Sequence, residues 1–291
     1  MEIIIDPKSG FCFGVQRAIE LAETKVAENT VLYCLGEIVH NAAEVDRMKK
    51  KGIVFIDYKK FLTLSDCKVL IRAHGEPPET YRYASKNNIE IIDATCPVVI
   101  KLQEKVRNAR IINPKVQIVI YGRKDHPEVI GLRGQVYDAL IIESKKEVHT
   151  IDFTRPVALF AQTTKDREEY AAIKKEIMLR MRENGLPETD FITYNSICGQ
   201  VANRAPWLAE FSRTVDALIF VGGKNSSNSK VLFEVCRKNN PQSFFITSPE
   251  EIESVKLNTN GTIGITGATS TPSWLIEKVA DTLQKAYATG Q

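Results

Sequence analysis

The chain has 291 residues and 43% hydrophobic content, which is enough to bury a core in two or three lobes. Its formal net charge of +3 argues against a nucleic-acid-binding protein, since such proteins are usually more basic. No run of about 18 apolar residues occurs and no secretory signal is visible, so we expect no membrane span. A cytoplasmic location is therefore expected, with the six cysteines free, catalytic or metal-bound.

In chain order, a β-like run at 2–6 comes first, and a helix-like run follows it and opens at Cys12. Hydrophobic patterning and length then predict strands at 31–41, 53–57, 69–75 and 89–95 and helices at 42–52 and 77–87. A strand that is followed by a helix and then by another strand is typical of a parallel sheet.

The same order of elements recurs twice more along the chain. A helix at 96–110 is followed by strands at 116–129, 139–144, 157–164 and 190–196, with a long helix at 166–184. A helix at 197–213 is followed by strands at 217–229, 243–248 and 261–270 and helices at 230–239 and 272–286. We therefore predict three similar α/β lobes, 1–96, 97–197 and 198–291, in a pseudo-threefold arrangement, with the C-terminal helix closing on the first lobe.

Three cysteines occupy the same place in these repeats, namely the start of the helix that follows a strand: Cys12, Cys96 and Cys198. A helix N-terminus stabilises the thiolate form, which is the form that binds metals. Three thiolates from distant loops indicate a metal or iron–sulfur centre with one open coordination position. Zinc is the alternative metal for such a site, but structural zinc sites usually include closely spaced CxxC pairs, and the chain has none. The remaining cysteines lie in apolar runs or helices and read as small core residues: Cys34, Cys67 and Cys236.

Polar side chains follow the predicted strands of all three lobes: His40 and His74, then His126 and Thr163, then Ser226, Ser227, Asn228 and Ser270. Ligands of α/β proteins bind at the carboxyl ends of strands, where helix N-termini also lie. Imidazoles, hydroxyls and an amide suit a phosphate or diphosphate. Glu128, two residues after His126, is the exceptional acid of this predicted cavity.

A set of motifs, in order from residue 10 to about residue 280, resembles the 4-hydroxy-3-methylbut-2-enyl diphosphate reductase (LytB) family. The motifs are GFCFGV, EIVHN, RAHG, DATCP, HPEVIGLRGQ, AQTT, KNSSNS and STPSWLIE. The resemblance implies three lobes around a central [4Fe–4S] cluster that is held by Cys12, Cys96 and Cys198 and has one non-cysteine iron. It implies reductive dehydration of the allylic alcohol to isopentenyl and dimethylallyl diphosphate, with electrons from reduced ferredoxin or flavodoxin.

The resemblance also assigns roles to the polar side chains. The diphosphate ligands fall on His40, His74, His126, Ser226, Ser227, Asn228 and Ser270. Glu128 falls on the proton-delivering acid, and Thr163 lies near the substrate hydroxyl.

Three stretches depart from the family pattern, and two alternative functions stay open. The departures are Val201 with Ala205, the segment 100–103, and Lys124 with Asp125, all expected near the cluster or the cavity wall. Val201 and Ala205 favour, as one alternative, a related iron–sulfur enzyme with a different substrate. The other alternative is a non-catalytic cluster protein that senses oxygen or carries electrons, although such a protein needs no acid at Glu128.

Overall fold

Apolar strands alternating with helices assemble into three four-stranded parallel sheets in the computed structural model, which describes residues 2–27, 31–224, 226–257 and 261–288. The strands are β1 (Glu2–Ile5), β2 (Leu32–Leu35), β3 (Ile53–Ile56), β4 (Lys68–Ile71), β5 (Glu90–Asp93), β6 (Gln117–Tyr121), β7 (Leu140–Ile142), β8 (Val157–Ala161), β9 (Phe191–Thr193), β10 (Ala217–Val221), β11 (Ser243–Ile246) and β12 (Thr262–Gly267). Each strand lies within or beside a run that the sequence predicts to be a strand.

Helices follow most of the strands, as expected for parallel connections. The α-helices are α1 (Phe13–Val26), α2 (Ala42–Lys50), α3 (Tyr58–Phe61), α4 (Pro78–Lys86), α5 (Pro97–Ile112), α6 (Pro127–Arg133), α7 (Arg167–Glu183), α8 (Gly199–Ala202), α9 (Arg204–Arg213), α10 (Ser227–Asn239) and α11 (Ser273–Ala288). In the described ranges, no helix is both long enough and apolar enough to cross a membrane.

The three sheets share one winding order, which confirms the predicted repeat. The orders are β3-β2-β4-β5, β7-β6-β8-β9 and β11-β10-β12-β1. In each sheet the strand at one edge comes just before a cysteine-containing loop. The N-terminal strand β1 serves as that edge strand in the third sheet, where Ile3 pairs with Ile263. The first sheet is therefore built from 32–93 alone, while the lobe boundaries 1–96, 97–197 and 198–291 stay a prediction.

The chain forms two compact units, the first comprising 1–31, 36–55 and 203–291 and the second comprising 32–35 and 56–202. Within the first unit, α11 packs on β1 and β12. Within the second, alternate residues of β6 enter opposite cores. Ile118 and Ile120 pack in one cluster, and Val119 and Tyr121 pack in the other. Both faces are thus covered, which explains why the central strands read as continuous apolar runs.

The helix predicted at 197–213 is wrong in one respect, because the structure divides it into α8 and α9 at Asn203. Pro206 lies in the first turn of α9 and has no N–H to donate. Its ring would also clash with the carbonyl four residues earlier, that of Ala202, if the helix were continuous. The chain therefore ends one helix and begins another.

A buried ion pair in the first unit joins the end of β1 to the start of α9. The Arg204 Nη2 donates to the Asp6 Oδ2 at 2.6 Å and to the Thr266 Oγ1 at 2.7 Å, and the Trp207 Nε1 donates to the Asp6 Oδ1 at 2.8 Å. Both charged side chains are at most 4% exposed. Burial by itself raises the pKa of Asp6, but the Arg204 charge and the hydrogen bonds that Asp6 accepts from Thr266, Arg204 and the Lys8 N–H outweigh it and hold the pKa below its usual value.

We expect Arg204→Met to lower the free energy of unfolding by about 3–5 kcal/mol, because it leaves the Asp6 carboxylate buried without its charge partner. Arg213→Met makes the same change at an exposed position of the same helix and should shift it by about 0.5 kcal/mol or less. Urea denaturation of the metal-free protein measures both values. Equal losses in the two variants would show that the ion pair is not the cause.

Candidate active site

The strand-end residues expected from the sequence fall at matching positions in the three sheets. His40, His126 and Ser226 each lie five residues after the last residue of β2, β6 and β10, respectively. Each of these strands is the inner strand next to the edge strand β3, β7 or β11. The His126 and Ser226 side chains accept the first backbone hydrogen bonds of α6 and α10, and His40 precedes the cap of α2, Asn41. The repeat therefore places one polar side chain at each of three helix N-termini.

The three predicted metal-binding cysteines share a backbone contact. Each cysteine N–H donates to a carbonyl two residues after the neighbouring inner strand: Cys12 to Thr269 at 3.2 Å, Cys96 to Ala73 at 3.0 Å, and Cys198 to Thr163 at 2.8 Å. Cys12 and Cys96 occupy the N-cap positions of α1 and α5, and Cys198 directly precedes α8. One loop geometry thus recurs in all three sheets.

Position at a helix start, together with exposure, separates these three cysteines from the others, of which only Cys67 is also partly exposed. Cys12, Cys96 and Cys198 are partly exposed at helix starts. Burial raises the pKa of Cys34 to about 12 and that of Cys236 to about 11, and it also raises the pKa of Cys67. A raised pKa disfavours the thiolate that binds metal. The donor set that fits a thiolate-bound centre is therefore the one expected from the repeat.

Glu128 is fully enclosed in the second unit, and both of its oxygens bind Thr163. The Thr163 N–H donates to the Oε1 at 2.7 Å, and the Thr163 hydroxyl donates to the Oε2 at 2.7 Å. The Thr163 carbonyl in turn accepts the Cys198 N–H. A single residue thus links the carboxyl group to the loop of a predicted metal ligand.

Burial raises the pKa of Glu128 to about 7, although the two hydrogen bonds from Thr163 act in the opposite direction. A carboxyl group with this pKa holds a proton through much of the neutral range and can still release it. That property is the one required of a general acid at neutral pH. The sequence singled out Glu128 from its position alone, and the structure supplies the cause of its raised pKa.

His74 and His126 lie together in the second unit, with ring centroids 5.2 Å apart and edge-to-face packing. The Glu128 N–H donates to the His126 Nδ1 at 3.2 Å, so in the neutral ring the hydrogen resides on Nε2. The hydrogen bond therefore makes Nε2 the donor nitrogen of the neutral His126 ring. Two adjacent imidazoles suit the oxygens of a phosphate group.

In the first unit, the loop of His40 lies against the loop of Ser226. A Cβ at Gly223 would come within 2.8 Å of the His40 carbonyl oxygen, so only glycine permits this approach. The His40 Nδ1 lies 3.8 Å from the Glu37 carboxylate. Three polar loops of this unit, those of His40, Ser226 and Ser270, follow strand ends.

The environment of Ser270 also indicates a ligand site. Its Oγ is buried and has no hydrogen-bond partner among the described residues, which is costly for a hydroxyl unless a ligand or water binds it. Asn228 is half-buried in the first turn of α10. The side chain of Ser227 lies outside the part of the chain that the structure describes, so that assignment stays a prediction.

The sequence reasoning missed one further acid, Glu76. It is 7% exposed, and burial raises its pKa to about 7 while Arg72 and Thr80 oppose the shift. The signal was present, because Glu76 follows His74 at the same spacing as Glu128 follows His126. The sequence also gave no reason to single out Glu44, a fully buried acid that accepts the Trp274 Nε1 at 2.7 Å and so ties α2 to α11.

The departures from the family pattern fall mostly at the surface or in the core. Lys124 and Asp125 are exposed and form ion pairs with Glu147 and Arg123, respectively. Ala205 packs against the apolar cluster that contains Leu208. Gln103, in the segment 100–103, lies against the loop of His74, because a Cβ at Gly75 would come within 2.8 Å of its Nε2. The expectation that these departures lie near the cluster or the cavity wall stays a prediction.

Known proteins of one family match this chain over nearly its whole length. The family model described as LytB protein matches residues 3–284, nearly the whole chain. The chain belongs to the LytB family. A relative from Bacteroides thetaiotaomicron is 49% identical over 287 residues, which is 98% of either chain, and is named 4-hydroxy-3-methylbut-2-enyl diphosphate reductase. A relative of the same name from Porphyromonas gingivalis is 49% identical and covers 96% of either chain.

Solved structures of LytB-type reductases have the same fold. One, described as the terminal enzyme of the non-mevalonate pathway, aligns with a TM-score of 0.76 and 32% identity, covering 98% of this chain and 100% of that one. The reductase of Plasmodium falciparum aligns with a TM-score of 0.82 and 27% identity, covering 97% and 88% of the two chains. The three-lobed α/β fold expected from the sequence is thus confirmed.

Proposed function

We propose that this LytB-family protein is a 4-hydroxy-3-methylbut-2-enyl diphosphate reductase. The reaction breaks the allylic C–O bond, consumes two electrons and two protons, and releases water with isopentenyl and dimethylallyl diphosphate. The single observation that carries the proposal is the contact chain from Glu128 through Thr163 to Cys198. It joins an acid of suitable pKa to the loop of a thiolate ligand.

An iron–sulfur centre fits the donor set of this chain. Cys12, Cys96 and Cys198 are partly exposed thiols at helix starts, with one recurring backbone geometry. We infer a [4Fe–4S] cluster with one iron that lacks a cysteine ligand. When bound, it would supply electrons and a Lewis acid to the substrate.

The remaining residues have the roles of binding, orienting and protonating the substrate. His74 and His126 present adjacent imidazoles that suit diphosphate oxygens. Ser226 and Asn228 lie at the start of α10, and Ser270 has a buried hydroxyl without a hydrogen-bond partner among the described residues, so these side chains suit the same oxygens. We assign His40 and Ser227 to the same group. Glu128 then passes a proton to the leaving hydroxyl through, or beside, the Thr163 hydroxyl.

The electron donor follows from the same chemistry. The chain has no GxGxxG fingerprint for a nicotinamide or flavin nucleotide, which favours an external electron carrier. We assign this role to reduced ferredoxin or flavodoxin, and we place the protein in the cytoplasm with these carriers.

The test is turnover of 4-hydroxy-3-methylbut-2-enyl diphosphate by the anaerobically purified protein with reduced methyl viologen. Formation of both C5 diphosphates, detected by mass spectrometry, is the expected result. Absence of turnover in a preparation with full iron content would reject this substrate and favour the related enzyme or the redox carrier.

We expect His74→Ala to weaken substrate binding about tenfold or more, because a charge-assisted hydrogen bond contributes roughly 1.5–3 kcal/mol. His40→Ala should have a similar effect. His149→Ala changes an exposed histidine and should leave affinity unchanged. The inhibition constant of inorganic diphosphate measures the affinity of the site separately from kcat, and the cluster spectrum should not change. Wild-type affinity in both variants would remove these histidines from the site.

A further inference from the structure

The helix that begins at Cys96 is basic on its exposed side. α5 carries Lys101, Lys105 and Arg107 at the surface, and its one acid is Glu104. Among the ion pairs of the described residues, none includes Lys101 or Lys105. The fourth basic residue, Arg110, is already paired with Asp138 at 2.9 Å. The first three turns therefore carry three exposed basic side chains against one acid.

Apolar side chains are exposed on the same helix. The exposed fractions are 43% for Val98, 39% for Ile100, 68% for Ile111 and 78% for Ile112. Two pairs of exposed aliphatic side chains thus flank the basic residues, near the start and the end of the helix, and exposed apolar groups beside charged ones are found at interaction sites. Positive charge mixed with apolar groups suits a partner that is acidic and binds transiently.

The other two helices that follow predicted cluster ligands lack this combination. α1 balances Arg17 and Lys25 against Glu20 and Glu23. In α9, Arg204 is buried in its ion pair with Asp6 and is not available at the surface. The basic surface therefore belongs specifically to the helix of Cys96.

We propose that the exposed face of α5 is the docking surface for a small acidic electron-carrier protein. This inference rests on the proposed function, because a two-electron reductive dehydration needs an external reductant. The carrier is oxidised as the allylic C–O bond breaks and water leaves. A carrier of one-electron capacity docks twice in each turnover.

The position of Lys101 and Lys105 near Cys96 favours an electron carrier over other acidic molecules as the partner that docks here. With a rise of 1.5 Å per residue, Lys101 lies about 7.5 Å and Lys105 about 13.5 Å along the helix axis from Cys96. A protein that docks here brings its own redox centre towards a predicted cluster ligand. Opposite charges on the two surfaces accelerate the encounter, by about tenfold to a thousandfold in steered complexes.

The test uses the iron-loaded enzyme with two reductants, a small acidic ferredoxin and reduced methyl viologen. We expect Lys101→Glu/Lys105→Glu to lower kcat/KM for ferredoxin about tenfold or more at low salt. The deficit should shrink at 0.5 M salt, where the Debye length is about 4 Å. Turnover with reduced viologen should not fall, because this reductant is a cation and needs no basic surface.

The matched control is Lys174→Glu/Lys175→Glu on α7, which makes the same charge change at two exposed lysines. It should leave the ferredoxin kinetics at the wild-type value. An equal loss in both double variants would show a general effect of net charge and would overturn the docking surface. A loss with both reductants in the α5 variant would also overturn it, since α5 would then act through the site itself.

Direct binding separates this inference from the proposed function. Calorimetry at low salt should show ferredoxin binding to the wild type and its loss in the α5 variant, whether or not the substrate is turned over. If α5 instead joins two copies of this chain, sedimentation will show a dimer that Ile112→Lys converts to monomers. That result, with unchanged ferredoxin kinetics, would replace the carrier as occupant.

Discussion

Cys12→Ser, Cys96→Ser and Cys198→Ser are each expected to lower the iron and sulfide content of the anaerobically purified protein by at least about tenfold. The three thiols occupy one recurring position, and a centre with three protein ligands that loses one of them loses most of its affinity. Iron and sulfide analysis, with the visible absorption spectrum, measures the effect.

The other cysteines provide the controls. Cys67→Ser changes a partly exposed thiol, and Cys34→Ala and Cys236→Ala change buried thiols without burying a new polar group. All three variants should keep wild-type iron content, because burial raises the pKa of these thiols and disfavours the thiolate. A Cys96→Ser protein with full iron would exclude Cys96 as a ligand.

Glu128→Gln is expected to lower turnover by about a hundredfold or more while substrate binding and iron content remain. The fold should tolerate the change, because the amide oxygen can still accept the Thr163 N–H and the amide NH2 can donate to the Thr163 hydroxyl. The variant removes the exchangeable proton and keeps the contacts. Steady-state rates with reduced viologen and a diphosphate-inhibition titration give the two quantities.

The pH dependence distinguishes an acid from a merely structural carboxyl group. The pKa of Glu128 is raised to about 7, so the carboxyl group holds its proton below that pH and loses it above. The wild-type rate should therefore be level below pH 7 and decline at higher pH, whereas the Gln variant should show no such decline. Turnover near the wild-type level in Glu128→Gln would assign proton delivery to another group, such as Thr163 or water.

The sequence by itself determined the class of the fold and predicted most of the candidate site. The strand–helix alternation repeats three times, and apolar strands of 3–6 residues are recognisable because both of their faces are buried. Cys12, Cys96 and Cys198 stood out because each opens a helix after a strand. Glu128 stood out as an acid among imidazoles and hydroxyls at the strand ends. These signals are local in the chain, so spacing and residue type reveal them.

The tertiary structure decided what depends on partners far apart in sequence. It paired β1 with β12, which are about 260 residues apart, and thereby assigned the N-terminal strand to the sheet of the C-terminal segment. It also enclosed Asp6 with Arg204, and Glu128 with Thr163. Desolvation and pairing set the pKa of a carboxyl group, and both depend on three-dimensional packing. For this reason the sequence could predict Glu128 as the acid, whereas its raised pKa of about 7 depends on the fold.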